Sequence, residues 1–167
     1  MSTMNAMMPA TGRIEGKVHI FPVRIYYEDT DAGGIVYHSN YLRFAERART
    51  EMLRLLGLHQ HQLATEDGMA FAVYKADVHY MKPAKLDDVL QVESSLTALT
   101  GASMHAHQLI RRPRPDGGID DLVRFNAQVF CMSTDGRPMR IPTSLRKVLE
   151  PYVVDDHGLS EKVGTHG

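Results

Sequence analysis

The segment EDTDAGGIVYHSNYLRFAERARTEML, from Glu28 to Leu53, joins an acidic, glycine-containing stretch directly to a long amphipathic pattern. In its second half the apolar residues recur at intervals of three and four, which is the spacing of one helical face. These residues are Tyr41, Phe44, Ala45, Ala48 and Met52, followed by Leu55 and Leu56. Ser39 or Asn40 can cap the start of this helix, and Gly57 can end it. The segment therefore predicts one long helix whose apolar face must pack on another element.

Strand patterns flank the predicted helix on both sides. Before it, residues 18–27 alternate with the period of a half-buried strand, and one side carries Phe21, Val23, Ile25 and Tyr27. After it, four more strands are indicated over 72–80, 90–98, 103–111 and 123–131. Residues 142–150 predict a short closing helix. One strand, one long helix and four further strands predict an α+β domain with a largely antiparallel sheet.

Length and composition favour a single compact domain. The chain has 167 residues, of which 43% are hydrophobic, and that is enough for a core without disulfides or a metal. With 19 basic and 20 acidic residues the net charge is near zero, which argues against nucleic acid or an anionic membrane as a partner. Residues 1–17 and 153–167 are polar, so we expect mobile tails around a domain at 18–152.

Cysteine usage and hydropathy bear on the compartment. The single cysteine, Cys131, cannot form an internal disulfide, and this fits a reducing compartment. No apolar run approaches the roughly 18 to 20 residues of a membrane helix, and the first residues lack the pattern of a signal peptide. We therefore expect a cytoplasmic protein that does not insert into membranes.

The acidic stretch at first resembles a calcium-binding loop, because Asp29, Asp31 and Gly34 match the first, third and sixth positions of an EF-hand. The twelfth position is Asn40, where a bidentate glutamate is needed. The fifth position is Gly33, which has no side-chain oxygen. A strand, and not a helix, precedes the loop, so the pattern argues against calcium.

Two roles for the acidic stretch remain open at this point. Asp29 and Asp31 can form turns, with the following glycines supplying positive φ. Alternatively, the unpaired N–H groups at the helix N-terminus form a site for an anion or a polarised carbonyl oxygen. A carboxylate and an oxyanion site would then lie a few residues apart, which is the pairing that acyl transfer requires.

The segment that starts at Glu28, together with LDDVLQVES at 86–94, resembles the YbgC-like branch of the 4-hydroxybenzoyl-CoA thioesterase family. The likeness covers most of the chain from Phe21 to about Pro142. It implies a hotdog fold, in which a five- or six-stranded antiparallel sheet wraps around a long central helix. It also implies an acyl-CoA hydrolase without metal or organic cofactor, acting on acyl-CoA or acyl carrier protein. Homodimers joined edge to edge, a homotetramer, active sites at the subunit interface and an association with the Tol-Pal envelope system are further expectations from this resemblance.

The same resemblance assigns roles to individual residues. It places the catalytic carboxylate, as nucleophile or general base, on Asp31 and the motif histidine on His38, with a backbone N–H near His38 as oxyanion donor. Candidates for substrate contact in this stretch are Tyr27, Gly34, Val36 and Tyr37. Relatives often carry a basic residue in the turn before residue 103, where this chain has Thr100. The phosphates of coenzyme A must then find other cations, and the candidates are Lys82, Lys85, Arg111 and Arg137.

The remaining residue patterns are of kinds that occur without a functional site. The pairs His59/His61 and His105/His107 lack a nearby cysteine or carboxylate at zinc spacing, so we interpret them as surface residues. Cys131 alternates with core residues and is expected to be an inert buried thiol. Arginines 47, 49 and 54 are interleaved with glutamates, which favours a solvated or subunit-facing helix side with ion pairs over a nucleic-acid surface.

Two alternative functions are compatible with the same fold. One is a non-catalytic module that binds acyl-CoA or an acyl carrier, although such a module would not need Asp31. The other is a hotdog dehydratase or isomerase, although those enzymes use a histidine as the main base. No G-x-S-x-G elbow and no Walker loop occurs in the sequence, which argues against a serine hydrolase of the α/β type and a P-loop enzyme.

Overall fold

The computed structural model describes residues 7–155. Its six strands are β1 (Arg13–Glu15), β2 (Val18–Arg24), β3 (Met69–Tyr80), β4 (Val89–Leu99), β5 (Ser103–Pro113) and β6 (Ile119–Ser133). Its helices are α1 (Asn40–Leu55), α2 (Gln60–Glu66) and α3 (Thr143–Leu149), with 3₁₀ turns at Tyr27–Asp29 and Glu150–Tyr152. The strands form one sheet in the order β1-β2-β4-β5-β6-β3, and neighbouring strands are antiparallel. The predicted α+β class is confirmed, and the six strands agree with the predicted five- or six-stranded antiparallel sheet.

Helix α1 carries the chain across one face of this sheet, because it links β2 near one edge to β3 at the other. Its buried residues are Tyr41, Phe44, Ala45, Ala48, Met52 and Leu53. They pack against inward-facing residues of the strands in two apolar clusters, one under each half of the helix. At about 1.5 Å per residue the helix is about 24 Å long, so it spans both clusters. Among residues 7–155 no helix is long and apolar enough to cross a membrane.

Both predicted tail boundaries need correction. Strand β1 lies inside the segment 1–17 and pairs with β2 through Arg13 opposite Ile20. The chain reverses between them at Gly16, which has a φ of +60°. At the other end, Val153 pairs with Leu96, and the N–H of the next residue donates to the Leu96 carbonyl at 2.8 Å. A three-residue strand is too short to show alternation, so the sequence pattern missed β1. Residues 1–6 and 156–167 lie outside the described part of the chain.

A β-bulge in β3 changes the face on which its side chains lie. The register shifts between Val73 and Lys75, so Tyr74 packs edge-on against Phe130, on the sheet face away from α1. Beyond the bulge, Val78 packs against the core cluster on the α1 side. Regular alternation over the predicted strand 72–80 would place Tyr74 and Val78 on the same side, and the bulge makes that expectation wrong. Helix α2 was also missed, because its seven residues are mostly polar.

Buried His19 on β2 ties the N-terminal segment to the core. Its Nε2 lies 2.8 Å from the carbonyl oxygen of Thr11, and its Nδ1 has no partner within residues 7–155. Burial is the main cause that lowers the pKa of His19, while the Thr11 carbonyl and the charge of Glu51 oppose the shift. The folded protein therefore holds this imidazole neutral.

The neutral state of His19 predicts that acid weakens the fold. Because the folded-state pKa lies below the unfolded value, its contribution to stability is complete above about pH 6.5 and is lost as the pH falls through the folded pKa. We expect the free energy of unfolding to fall between about pH 7.5 and pH 5 in wild type, and to fall less in His19→Gln. Chemical denaturation at several pH values measures both slopes. Equal slopes would show that His19 does not carry this dependence.

Candidate active site

The acidic stretch forms a tight hairpin between the first 3₁₀ turn and α1. Thr30 and Val36 pair as antiparallel residues, and the Asp31 N–H donates to the Ile35 carbonyl at 3.0 Å. The Gly34 N–H returns to the Asp31 carbonyl at 3.0 Å, with Gly34 at a φ of +79°. A side chain other than glycine would be strained at that φ. The hairpin therefore holds Asp31 at its exposed tip.

The two aspartates of this stretch have different roles. The carboxylate of Asp29 accepts from the Tyr26 N–H at 2.8 Å, and its carbonyl accepts from the Tyr37 N–H at 3.1 Å and from Asn40 Nδ2 at 2.8 Å. Asp29 thus fixes the hairpin to the start of α1. In Asp31, Oδ1 accepts from the Gly33 N–H at 2.8 Å, whereas Oδ2 has no partner in the described chain. Both roles of the acidic stretch are compatible with this geometry, because Asp31 Oδ1 forms the turn and Oδ2 remains available for chemistry.

The start of α1 is not capped by a side chain. Ser39 occupies the N-cap position without a side-chain hydrogen bond, and the Asn40 amide is already committed to Asp29. Among residues 7–155, the backbone N–H groups of His38 and Ser39 have no acceptor. Such free N–H groups at the positive end of a helix dipole can bind an oxyanion.

Two tyrosine rings lie against the imidazole of His38. The ring of Tyr37 lies 4.4 Å from the imidazole, centroid to centroid, and the ring of Tyr80 meets it edge-on at 6.2 Å. The Tyr80 hydroxyl donates to the His38 carbonyl at 3.2 Å. Tyr80, from the end of β3, was not among the predicted site residues. The pattern of β3 placed it at the strand end but gave no sign of which loop it meets.

Residues 83–88 support the hairpin from behind. The Val36 N–H donates to the Ala84 carbonyl at 2.9 Å, and Ile35 pairs with Lys85. The Ala84 N–H in turn donates to the buried hydroxyl of Tyr41 on α1 at 2.9 Å. Burial is the main cause that raises the pKa of this phenol. Hairpin, supporting segment and helix are therefore joined through Ala84.

Arg112 holds the supporting segment on the sheet. Its Nη1 donates to the Pro83 carbonyl at 3.2 Å and to Asp88 at 2.8 Å, and its Nη2 donates to Asp120 at 2.9 Å. Asp120 also accepts from Arg114 at 2.6 Å and from Lys82 at 3.2 Å. The hydrogen bond from Arg112 is the main cause that holds the pKa of Asp120 far below its usual range, followed by the bond from Arg114. No sequence pattern indicated this cluster.

The structure brings together eight of the ten predicted site residues. Six belong to the hairpin and its flanks: Tyr27, Asp31, Gly34, Val36, Tyr37 and His38. Lys85 belongs to the supporting segment, and Lys82 directly precedes that segment and bonds to Asp120. The side chain of Val36 is buried in the core, so it offers only its backbone to a ligand.

The other two predicted residues lie elsewhere in the chain. Arg111 is on the sheet face away from α1, paired with Glu93 at 3.1 Å and Asp121 at 2.8 Å. Arg137 lies in the turn after β6, where its N–H and carbonyl both bond to Ser133. Within one protomer, neither of these arginines adjoins the hairpin.

The remaining candidates from the sequence behave as follows. His105 and His107 lie on the outer face of β5 and are partly buried, so the surface interpretation holds only in part. Within residues 7–155 no three histidine, cysteine, aspartate or glutamate side chains are grouped as metal ligands. Cys131 is fully buried, and burial raises the pKa of its thiol, as expected for an unreactive cysteine.

Comparisons of the sequence with known proteins identify related thioesterases. The sequence model of the Thioesterase-like superfamily matches residues 26–149. The acyl-CoA thioesterase YbgC of Haemophilus influenzae is 51% identical over 92 residues, which are 55% of this chain and 68% of the relative. The chain spans about two thirds of the length of the curated YbgC relatives that it matches.

Solved structures support the same conclusion. A probable thioesterase from Bartonella henselae has a TM-score of 0.69 and 32% identity, covering 75% of this chain and 99% of that one. A mutant 4-hydroxybenzoyl-CoA thioesterase in complex with 4-hydroxybenzoyl-CoA has a TM-score of 0.76 at 22% identity, over 80% of this chain and 99% of that one, which shows the fold alone. The predicted hotdog fold and the predicted family are both confirmed. The chain belongs to the Thioesterase-like superfamily.

Proposed function

We propose that this protein is an acyl-CoA thioesterase that hydrolyses the thioester to a carboxylic acid and free coenzyme A, without metal or organic cofactor. The observation that carries the proposal is the unpartnered Oδ2 of Asp31 on the same hairpin that leads to the free N–H groups of His38 and Ser39 within the described residues. The names of the YbgC relatives support the substrate class. Acyl carrier protein is the other carrier that the proposal allows.

In the proposed reaction the N–H groups at the start of α1 bind the thioester carbonyl oxygen and stabilise the charge that develops on it. Asp31 acts in one of two ways. As a nucleophile, its carboxylate attacks the carbonyl carbon, the C–S bond breaks, the thiolate of coenzyme A takes a proton from water, and a second water hydrolyses the acyl anhydride. As a general base, it takes a proton from a water that attacks the carbonyl directly. Both routes give the same acid and thiol.

The substrate contacts follow from the exposed residues around Asp31. We assign the phosphates of coenzyme A to Lys82 and Lys85, because both belong to or adjoin the segment that supports the hairpin. Tyr27 is 82% exposed and Tyr37 is 50% exposed, so both rings are accessible to a ligand. His38 helps to order the loop and the ligand through its ring contacts.

The exposed edge of the sheet supports a homo-oligomer. Strand β3 has 12 residues and pairs only with β6 within the described chain. Val73 is 48% exposed, Tyr74 74% and Tyr80 49%, so this edge carries exposed apolar side chains beside the polar Lys75, Asp77 and His79. Long apolar edges are normally paired or covered. We propose a homodimer through β3 that assembles further into a homotetramer, in the cytoplasm, with a role linked to the Tol-Pal system as the family resemblance implies.

Asp31→Asn is expected to lower the rate of acyl-CoA hydrolysis by about 10² or more, the scale of losing general-base catalysis. The amide keeps the turn bond from Gly33 but loses the charge and the reactive oxygen. Free thiol released from a panel of acyl-CoAs, read with a thiol reagent, measures the rate.

Asp29→Asn is the matched control for this substitution, because Asp29 uses its carboxylate to bond Tyr26 and not the ligand. It should keep far more activity than Asp31→Asn, with both variants folded by circular dichroism. Equal activity of the two variants would refute the role of Asp31. Absence of thiol release from wild type would favour a non-catalytic acyl-CoA binding module.

The oligomer is expected to depend on β3. Wild type should sediment as a dimer or tetramer at micromolar concentration, above the 18.7 kDa of one chain. Ala76→Lys, in the middle of the exposed edge, should shift it to monomer, because a further positive charge and a longer side chain would be brought to the paired edges beside Lys75. Ile119→Lys, at the start of β6, is the control. A wild-type monomer, or an Ala76→Lys variant with unchanged mass, would contradict the proposed interface.

A further inference from the structure

An apolar cavity lies under the second half of α1, away from the Asp31 hairpin. It has a volume of about 120 Å³ and is bounded by α1, α2, the strands β3 to β6 and α3. Apolar side chains form most of its wall, among them Leu53, Phe71, Leu96 and Met104. A dry cavity of about 150 Å³ lined by such residues can hold a benzene ring. The volume therefore fits a single ring or a short alkyl chain.

Arg49 of α1 lines this cavity together with Glu46 and several uncharged polar residues. Its Nη1 donates to Oε1 of Gln108 at 2.8 Å. Gln108 is fully buried, and its Nε2 donates to the Ala45 carbonyl at 2.9 Å and to Ser94 Oγ at 3.0 Å. Because the Ala45 carbonyl and Ser94 Oγ both accept from the amide nitrogen of Gln108, the amide oxygen of Gln108 must face the guanidinium of Arg49. Arg49 is thus held in one orientation, which the sequence interpretation of a solvated helix side did not predict.

The positive charge of Arg49 has no carboxylate partner within residues 7–155, because none of the ion pairs there includes it. Burial is the main cause that lowers the pKa of this guanidinium, whereas carboxylate partners raise the pKa of Arg111 and Arg112. The Nε and Nη2 atoms of Arg49 have no acceptor in the described chain, and neither is a fully buried atom without a partner. Donors of this kind remain available to a ligand.

Glu46, three residues before Arg49 on α1, is the acidic side chain whose charge opposes the lowering of the Arg49 pKa, and it also lines the cavity. Its Oε1 accepts from Thr50 Oγ1 at 3.2 Å, and Thr50 Oγ1 in turn accepts from Gln60 Nε2 at 3.0 Å. The residue is exposed, so water screens its charge. The rim is therefore polar, and Arg49 stands between this rim and the apolar wall.

We propose that this cavity binds a small carboxylic acid, with its apolar part against the cavity wall and its carboxylate on the guanidinium of Arg49. The planar fork of a guanidinium matches a carboxylate in a bidentate pair, and such a pair gains strength where water is excluded. A free acid and the acid released by thioester hydrolysis present the same chemistry to this site. Binding itself does not require Asp31.

Calorimetric titration of the full-length protein with hexanoate and with its neutral analogue hexanamide tests this site. Wild type should bind hexanoate about tenfold or more tightly than hexanamide, the scale of a hydrogen bond to a charged group. Arg49→Met should remove about that factor for hexanoate and leave hexanamide nearly unchanged, while Arg49→Lys should keep part of it. Arg47→Met, an exposed arginine two residues away, should change neither affinity.

A second variant tests the cavity independently of the charge. Ala106→Val places two methyl groups in the wall, so it should weaken both ligands while Arg49 stays in place. If Arg49→Met does not fold, Arg49→Lys and Ala106→Val still give the comparison. The proposal is overturned if wild type does not bind hexanoate, if it binds the acid and the amide equally, or if folded Arg49→Met binds hexanoate as wild type does.

A second assay with hexanoate tests where the bound acid comes from. This assay measures acyl-CoA hydrolysis and therefore rests on the proposed function. If hexanoate inhibits hydrolysis of hexanoyl-CoA by wild type and inhibits Arg49→Met much less, the result supports the site. It also identifies the acid released by hydrolysis as the ligand of the site. Binding without inhibition supports the site for free acid from elsewhere. If the protein hydrolysed no acyl-CoA, the proposed function would fail while the calorimetric result would still stand.

Discussion

The hydrogen bonds at Ala84 are the contact on which the candidate site depends. Its carbonyl accepts from the hairpin, and its N–H donates to Tyr41 on α1, so together with the bonds of Asp29 it sets the spacing between Asp31 and the helix start. Neither group can be satisfied by water, because Ala84 and Tyr41 are both buried. A buried donor or acceptor that loses its partner costs about 1 to 3 kcal/mol. The hairpin therefore cannot move away from the helix without breaking buried hydrogen bonds.

The same segment is fixed to the sheet by charge. Arg112 bridges Pro83, Asp88 and Asp120, and Asp120 gathers three cations around one carboxylate. Since Asp120 is buried, these ion pairs are screened less by water than ordinary surface pairs. The supporting segment is therefore attached on both sides, by hydrogen bonds to the helix and by ion pairs to the strands.

Local sequence patterns were enough to predict the main elements of the fold. Helix α1 begins at the predicted cap region and ends two residues before Gly57, because its apolar face is long and its breaker is strong. The bulge at Val73 could not be predicted from the sequence, since it depends on how β3 pairs with a strand some fifty residues further along the chain. Strand β1 was missed because three residues carry too little pattern.

At the site, the sequence identified the residue types but not which residues hold the structure and which remain available to a ligand. Asp29 and Asp31 cannot be distinguished from the sequence pattern. Their hydrogen bonds show that the Asp29 carboxylate is structural, whereas one oxygen of Asp31 remains available. Tyr80 and Arg112 come from strands distant in sequence, so no local motif connected them to the hairpin. Arg49 lies near the boundary between the apolar and polar faces of α1, and helical periodicity alone cannot decide whether such a side chain turns to solvent or to the core.

The uncapped start of α1 bears on how this protein could be engineered. Ser39 makes no capping hydrogen bond, and a side chain that did cap the helix from this position, such as aspartate, would be worth about 0.5 to 2 kcal/mol relative to alanine. In the proposed mechanism the new carboxylate would compete with the ligand for the same N–H groups and would repel the developing oxyanion. Thermostabilised versions selected without an activity screen would tend to acquire this cap and lose turnover, which is the usual conflict between stability and activity at a functional site. The unsatisfied helix end is therefore best understood as a stability cost that the site retains.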